Sequence, residues 1–277
     1  MKKINIKLII GVIVTALTFS FGGLTKTYAA ISPTLTGSAS FSVLGSTTVT
    51  NTGLTTTSGK VGVSPGTAIT GFPPGIAGGD NSTNLHSNDA SAIAAQADNV
   101  ATFTALDQTC DFSYPDGQDL TLLSPLTPGT YCSAGSFLLT GNLTLTGTGV
   151  WIFKTVSTLI TSPGSSVTSS DPCNVWWRIG SSATLDTTTS FVGNILALTS
   201  ITLNTGATLN GRALAQTGAV TLDSNTITEA ICASTPVVPA LPDTGFVSQN
   251  NSLILGAFSL SIFAIISLLL VTNKKRI

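Results

Sequence analysis

The stretch that decides the fold covers residues 184–223 and reads TLDTTTSFVGNILALTSITLNTGATLNGRALAQTGAVTLD. Within it a threonine, a leucine and an Asp or Asn recur in that order from Thr184, Thr202 and Thr221, at spacings of 18 and 19 residues. A second pair of segments, 195–199 and 213–217, repeats a mostly aliphatic run that ends in threonine. Short strand-like repeats of about 20 residues, separated by Gly and Asn turns, are typical of a β-solenoid, in which each copy buries its apolar side against its neighbours.

Alternation along these strands predicts which side chains face the core. Because successive residues of a strand point to opposite sides, inward Ile201 and Val220 place Thr202 and Thr221 on the outside. Equivalent threonines on neighbouring strands would lie about 4.8 Å apart, and every second residue along a strand about 6.7 Å apart. The expected product is a rigid, uncharged grid of hydroxyl and methyl groups.

One segment departs from the strand pattern. From about residue 88 to residue 107 Gly and Pro are absent, and Ile93, Ala97, Val100 and Phe103 recur at spacings of four, three and three. This periodicity predicts an amphipathic helix over 88–107 whose apolar stripe packs on the strands. The fold class expected from the residues is therefore mainly β, with one long helix alongside.

Charged residues make up only 8% of the 277 residues, against 42% hydrophobic ones. Between residues 30 and 244 lie 12 acidic residues but only four basic ones, Lys60, Lys154, Arg178 and Arg212. Nucleic-acid binding requires clustered positive charge, so that class is excluded. With one histidine and few charged groups there is little material for catalysis, and we expect neither an enzyme nor a metal or cofactor site.

The four cysteines, Cys110, Cys132, Cys173 and Cys232, form an even set, and none belongs to a C-x-x-C motif. An even count in an oxidising compartment predicts two disulfides, and four cysteines allow three pairings. We favour Cys110–Cys132, which closes a local loop, and Cys173–Cys232, which ties the end of the domain to its middle.

Both ends of the chain carry targeting patterns. Lysines at positions 2, 3 and 7 precede an apolar run at 8–17, and Ala29 and Ala30 follow, which is the order of a secretory signal peptide over 1–29. The solenoid domain is expected at 30–233, followed by a proline-containing stalk at 234–240. An uncharged apolar stretch at 252–271 is long enough to span a bilayer, and a basic tail follows it.

A pentapeptide precedes this apolar stretch, namely Leu241, Pro242, Asp243, Thr244 and Gly245. Together with the span and the basic tail, the segment 241–277 resembles the sorting signal of Gram-positive surface proteins. The resemblance implies that a sortase cleaves after Thr244 and joins it to peptidoglycan. The protein would then be exported and anchored on the cell wall, with the C-terminal anchor as its only membrane contact. A plain single-span membrane anchor is the alternative.

Several motifs spread over residues 40–228 resemble one known family. They are GVSPGTAITGFPPG at 62–75, HSNDA at 86–90, LTPGTYC at 126–132, FVGNILA at 191–197 and LNGRALA at 209–215. These motifs are similar to those of the single-domain microbial ice-binding proteins. The resemblance implies a discontinuous right-handed β-solenoid of triangular cross-section, in which N-terminal strands lie beside later ones, and a monomer whose partner is ice.

Members of that family bind ice through one flat face, often with Thr-(Ala/Gly)-x-(Thr/Asn) sequences. Thr205-Gly206-Ala207-Thr208 matches this pattern. Thr47 is predicted to border the same face, on the resemblance alone. Binding would inhibit ice growth and recrystallisation or attach the cell to ice.

Two surfaces compete as the ice-binding face. The first choice consists of Thr199 and Thr217, with Ala197 and Ala215 beside them. The second choice consists of Thr202 and Thr221.

Two other functions stay open. The protein could be a wall adhesin that binds carbohydrate or protein through exposed aromatics such as Tyr114 or a tryptophan. It could also be a polysaccharide-acting solenoid enzyme, but such an enzyme usually needs clustered charges on one face.

Overall fold

The computed structural model describes residues 30–230. The predicted signal peptide, the stalk, the sorting signal with its membrane span, and the last three residues of the predicted domain lie outside the described residues. Within 30–230, no helix is long and apolar enough to cross a membrane.

This part of the chain is mainly β. Its strands are β1 (Phe41–Gly45), β2 (Thr48–Thr52), β3 (Thr56–Thr57), β4 (Lys60–Val63), β5 (Ala68–Thr70), β6 (Ile76–Ala77), β7 (Leu85–Ser87), β8 (Phe112–Tyr114), β9 (Gln118–Asp119), β10 (Gly129–Ser133), β11 (Phe137–Leu139), β12 (Asn142–Leu145), β13 (Trp151–Thr155), β14 (Leu159–Thr161), β15 (Ser166–Ser169), β16 (Val175–Ile179), β17 (Ala183–Leu185), β18 (Ser190–Ala197), β19 (Ile201–Leu203), β20 (Thr208–Ala215), β21 (Val220–Asp223) and β22 (Thr226–Thr228). Its α-helices are α1 (Asn81–Asn84) and α2 (Ala90–Ala105).

The strands form two parallel sheets. Sheet 1 has 14 strands, with the path β6-β3-β22-β20-β18-β16-β13-β10-β8 and side branches, and sheet 2 has the order β5-β2-β21-β19-β17-β14-β11-β9. The two longest strands, β18 and β20, run through two strand sets of sheet 1. Their C-terminal halves are paired, directly or through intervening strands, with one group of strands, which we name the helix-covered set: β1, β4, β7, β8, β10, β13 and β16. Their N-terminal halves are paired in the same way with a second group, which we name the third set: β3, β6, β12, β15 and β22.

Two stacked glycines mark the point where β18 and β20 pass from the third set into the helix-covered set. Gly193 and Gly211 are in register, and both have positive φ angles. A side chain at Gly211 would collide with the backbone of Gly193. Glycine is therefore required for the two strands to turn together.

The N-terminal strands lie beside the last ones. Val43 of β1 is paired with Ala213 of β20, and Thr56 of β3 is paired with Thr226 of β22. The strands at 41–57 are therefore paired on one side with strands more than 150 residues away and on the other with the strands at 60–77 that follow them. This pairing is the chain order that the family resemblance implied.

The core lies between the three strand sets and contains a row of stacked aromatic rings. Tyr131, Phe153, Trp177 and Phe191 follow one another with ring-centroid distances of 5.4, 4.1 and 4.7 Å, and Phe112 lies 4.8 Å from Tyr131 at the end of the row. Trp177 also donates from Nε1 to the carbonyl of Val192 at 2.9 Å. Stacked rings of this kind stabilise a core beyond the burial of their area.

Helix α2 begins after its N-cap Asp89, whose side chain accepts from the N–H of Ala92 at 2.9 Å. The predicted buried stripe is largely wrong, because Ile93 and Val100 are 52% and 51% exposed and Ala97 is exposed too. The buried side chains are those of Ala92, Ala95, Asn99, Thr102 and Phe103. The helix lies so close to the chain at Gly37 that a Cβ there would be 2.9 Å from the carbonyl oxygen of Ala94. The buried side of the helix therefore begins with the small residues Ala92 and Ala95.

The disulfide Cys110–Cys132 is confirmed. For the second predicted pair, Cys173 is described and is not a free thiol. Cys232 lies outside the described residues, so the pair Cys173–Cys232 stays a prediction.

Candidate binding surface

The outer surface of sheet 2 carries a column of five threonines. Strand pairing brings them into register across five neighbouring strands, in the order Thr184, Thr202, Thr221, Thr50 and Thr70. The alternating residues Ile201, Leu203, Val220 and Leu222 are buried in the core, as predicted. The threonines consequently point outward, about 4.8 Å from one strand to the next.

The column has a defined surrounding. Beyond Thr184 it continues through Ile160 and Leu138 and ends at Asp119 on the edge strand. On strand β2, Thr48 and Thr52 flank Thr50 on the same side. From Thr184 to Thr70 the column contains hydroxyl and methyl groups and no charged side chain.

Two aspartates lie where sheet 2 turns toward the third set. Asp186 accepts hydrogen bonds from the side chain of Asn204 at 3.0 Å and from the N–H of Thr187 at 2.7 Å, and these bonds hold the pKa of Asp186 below its ordinary value. Asp223 accepts from the hydroxyl of Thr205. The carboxylates are therefore engaged at the rim of the sheet, beside the column.

Ala197 and Ala215 were predicted on the binding surface, and this prediction is wrong. Both are fully buried in the core cluster. They follow inward-facing Ile195 and Ala213 by two residues, so the alternation of a strand keeps them inward. Neither alanine can contact an external surface.

The rest of the first-choice surface forms an edge. Thr199 and Thr217 are exposed in the turns that lead from the helix-covered set into sheet 2, and the two turns are bonded through the N–H of Gly218 and the carbonyl of Thr199 at 2.9 Å. Thr47 lies on the same edge, because its N–H donates to the carbonyl of Gly218 at 3.1 Å. The hydroxyl of Thr217 donates to the carbonyl of Leu198 at 2.6 Å. These three threonines are together, but on a ridge between two strand sets.

Thr205 and Thr208, which match the family pattern, lie on either side of a turn. Thr205 is in the loop after sheet 2, while Thr208 begins β20 in the third set. Ala207 between them is buried. The structure therefore brings Thr202 and Thr221 together in one column and leaves Thr205 and Thr208 outside it.

Sequence reasoning missed three members of the column: Thr184, Thr50 and Thr70. Thr184 stands first in the repeat that was recognised, and the alternating run Thr48-Val49-Thr50-Asn51-Thr52 carries the signal for Thr50. Thr70 has a similar but weaker signal in the three-residue strand β5.

The other surfaces fit a flat binding face less well. The helix-covered set is occupied, since Leu44, Trp176, Leu196 and Leu214 lie in one buried cluster with residues of α2. The third set presents Ser166, Ser190, Thr208, Thr226 and Thr56 in register, bounded by Asn142 and Ile76, but Val192 and Asn210 lie beside this row in place of threonines.

The groups expected of an adhesin or an enzyme are engaged elsewhere. Trp151, Trp176 and Trp177 are all buried, and Tyr114 is half-buried. His86 shares a hydrogen bond with Asp89 at 2.8 Å at the start of α2. Among residues 30–230, no group of three or more His, Cys, Asp or Glu side chains could hold a metal ion.

Comparisons with known proteins agree on one family. The family model described as ice-binding-like matches residues 43–228. An ice-binding protein of Nostoc sp. (strain HG1) is 44% identical over 237 residues, which cover 81% of this chain and 86% of that protein. An ice-binding protein of Flavobacterium frigoris (strain PS1) is 31% identical over 207 residues, which cover 69% of this chain and 74% of that protein.

Solved structures give the same result. A crystal structure of an ice-binding protein from an Antarctic biological consortium matches with a TM-score of 0.66 at 38% identity, covering 73% of this chain and 93% of that one. The ice-binding protein of the Antarctic ascomycete Antarctomyces psychrotrophicus matches with a TM-score of 0.66 at 35% identity, covering 73% and 100%. With two thirds of its length matched by the family model and a relative at 44% identity, this chain belongs to the ice-binding protein family.

Proposed function

We propose that this protein binds ice through the outer surface of sheet 2, with the column Thr184, Thr202, Thr221, Thr50 and Thr70 at its centre. The observation that carries the proposal is the register of these five threonines across five strands without an intervening charge. The family membership of the chain supports the same function. Bound molecules would slow ice growth and inhibit recrystallisation.

The mechanism is adsorption without chemistry. Threonine methyl groups exclude water from their own volume and order the first hydration layer, and the hydroxyls hold that layer by hydrogen bonds. Threonine is branched at Cβ and has few side-chain rotamers in a strand, so little freedom is lost when it contacts a lattice. A preorganised surface of many weak contacts binds with a small ordering cost. No enzyme activity and no cofactor are part of this proposal.

We propose a right-handed β-solenoid of triangular section as the frame of this surface, with helix α2 along one side. Three strand sets in parallel register around a single core support this geometry. The resemblance of the sequence to the family supplies the handedness.

We also propose that the protein is exported and joined to the cell wall at Thr244. The order of signal peptide, domain, stalk, sorting pentapeptide, apolar span and basic tail supports this placement. The disulfide Cys110–Cys132 fits an oxidising compartment. Incubation of the chain with a sortase should release the segment after Thr244. Thr244→Ala should prevent that release, and an unaltered cleavage pattern in this variant would refute the assignment.

Ice affinity tests the central proposal. The intact chain is placed in dilute solution around a slowly growing ice surface, and the protein in the ice fraction is measured after half of the water has frozen. A matched protein that does not bind ice serves as the reference. We expect enrichment in the ice, and a chain that remains wholly in the liquid would refute the function.

A further inference from the structure

The last described residues lie at the edge between the third set and the helix-covered set, and sheet 2 is not part of this edge. After β22, the N–H of Glu229 donates to the hydroxyl of Ser58 at 2.7 Å. Ser58 and Gly59 connect β3 of the third set with β4 of the helix-covered set. We name this place, defined by Ser58, Gly59 and Glu229, the exit edge.

Sheet 2 meets the other strand sets at two different edges. One consists of the turns near Thr199 and Thr217, and the other of the turns near Thr205 and Ser224. Because the three strand sets enclose one core, the exit edge lies across that core from sheet 2. The last described residues therefore lie on the side away from the threonine column.

The exit edge is fastened to the rest of the domain. Strand β22 is not an edge strand, since it is bonded to β20 on one side and to β3 on the other. Beside it, buried Arg212 donates from Nε and Nη2 to the carbonyl of Ala39 at 3.1 and 2.7 Å, and from Nη1 to Asn194 Oδ1 at 3.0 Å. Burial raises the pKa of Glu229, and the nearby charge of Arg212 opposes that rise. The last described strand is therefore held on both sides by parallel neighbours.

The short distance between this edge and the proposed attachment residue Thr244 decides which surface of the domain can face away from the support. From Glu229 to Thr244 the chain can span at most about 50 Å when fully extended. The eight strands of sheet 2 already extend over roughly 34 Å. An attachment that began on the sheet 2 side would therefore compete with ice for the same surface.

We infer that the domain is built as a cross-link, held at the exit edge by its C-terminal segment while sheet 2 binds ice. The inference rests on the proposed function and adds to it the direction in which the bound surface faces. The partner pair is an ice surface on one side and an immobile support, such as a cell wall, on the other. The role of the surface is then attachment as well as growth inhibition.

The test attaches the full chain to beads in three orientations. In one sample a biotin-acceptor peptide follows Ile277, and in the other two the biotin is placed on Thr221→Cys in sheet 2 or on Thr228→Cys in the third set. Both threonines are exposed strand residues, so the two cysteine variants are matched. The cysteines among the described residues are not free and do not compete for the label. Capture of the beads by growing ice is counted.

Beads attached through the C-terminus or through position 228 should be captured, and beads attached through position 221 should fall to the level of bare beads. Equal capture in all three orientations, or no capture of C-terminally attached beads, would refute the inference. The free wild-type chain separates the two proposals. If it enters the ice while C-terminally attached beads do not, the orientation is wrong and the function stands; if it stays in the liquid, both are wrong.

Discussion

Substitution of Thr221 by Tyr tests the proposed surface most directly. Thr221 is exposed and is the middle member of the column, with Thr202 on one side and Thr50 on the other. A tyrosine ring there stands above the level of its neighbours and holds a flat surface away from all three positions. Tyrosine is itself a favourable strand residue, so the free energy of unfolding should change by less than about 0.5 kcal/mol.

The size of the effect follows from the number of threonines that the ring keeps away from the ice. If each threonine contributes about 0.5–1 kcal/mol, as a neutral hydrogen bond does in net terms, separating three of them from the ice weakens adsorption by about 1.5–3 kcal/mol. At about 1.4 kcal/mol per factor of ten, adsorption falls roughly 10- to 150-fold. The same change at Thr70, the end of the column, keeps two threonines away from the ice and predicts a fall of roughly 5- to 30-fold.

Thermal hysteresis and the fraction of protein in the ice are the measurements, with the unfolding temperature of the protein as the check on stability. That temperature should shift by less than about 2 °C in each variant. Thr228→Tyr, on an exposed strand position of the third set, is the control and should retain full activity. Full activity of Thr221→Tyr, combined with loss of activity in Thr217→Tyr, would move the binding surface to the ridge of Thr47, Thr199 and Thr217.

Three further predictions concern the frame that holds this surface. Burial raises the pKa of Asp98, but hydrogen bonds from Ser38 and Thr36 outweigh burial and hold that pKa below 3.8. The stabilisation that ionised Asp98 provides is therefore present above about pH 4 and is lost as the pH falls through the lowered pKa. Asp98→Asn should remove this acid dependence, measured by urea unfolding between pH 7 and pH 3, and an unchanged pH profile would contradict the assignment. Replacing both Cys110 and Cys132 by Ser should cost about 3 kcal/mol, from a sequence separation of 22, and lower the unfolding temperature by roughly 6–12 °C in calorimetry. Trp177→Ala should cost about 3–5 kcal/mol while leaving the ice affinity of the folded protein unchanged, and a loss of affinity without a loss of stability would show that the aromatic row acts on the surface.

Much of the strand architecture follows from alternation, because a period of two fixes the side of every residue once one is known. Ile201 and Val220 inside, with Thr202 and Thr221 outside, are of this kind. The error at Ala197 and Ala215 has the same origin. Counting from Ile195 keeps Ala197 inward, whereas the turn after Ala197 resets the alternation before Thr199. An alanine in a strand fits an exposed flat surface and a narrow core equally well, so the size of Ala197 and Ala215 does not indicate which side they face.

The helix shows a second limit. Its position in the chain follows from the absence of Gly and Pro, but its orientation depends on contacts that no local pattern contains. Asp98 accepts four hydrogen bonds from the backbone N–H groups and hydroxyls of Thr36 and Ser38, and the chain at Gly37 lies against the helix backbone. These contacts turn the side with Ala95 and Phe103 inward and leave Ile93 and Val100 exposed.

The full threonine column was beyond local reasoning for a related reason. Thr50 and Thr221 are neighbours on adjacent strands although 171 residues separate them in the sequence. Which threonines share a column depends on where the N-terminal strands pair, and the repeats at 184–223 do not contain that information. Among the strands of sheet 2, only β17, β19 and β21 could be aligned from their own spacing.

The distribution of charge connects the stability of the domain with its proposed function. All four basic residues of the described chain lie in the helix-covered set: Lys60, Lys154, Arg178 and Arg212. Lys154 forms an ion pair of 2.8 Å with Asp107, just after the helix. Arg178 donates to the carbonyl of Phe103 at 3.0 Å and lies over the ring of that residue. Arg212 donates to the carbonyl of Ala39 in the N-terminal segment. Lys154, Arg178 and Arg212 thus attach the helix and the N-terminal segment to the strands, while the strands of sheet 2 carry no basic residue. A strongly hydrated ion within the column from Thr184 to Thr70 would impose its own water structure on the layer that must match ice. The aspartates of sheet 2, Asp119 and Asp223, lie at the end of the column and at the rim of the sheet, where threonine hydroxyls donate to them. The low content of charge is therefore consistent with both tasks, because the few cations stabilise one strand set and their absence leaves another free to order water.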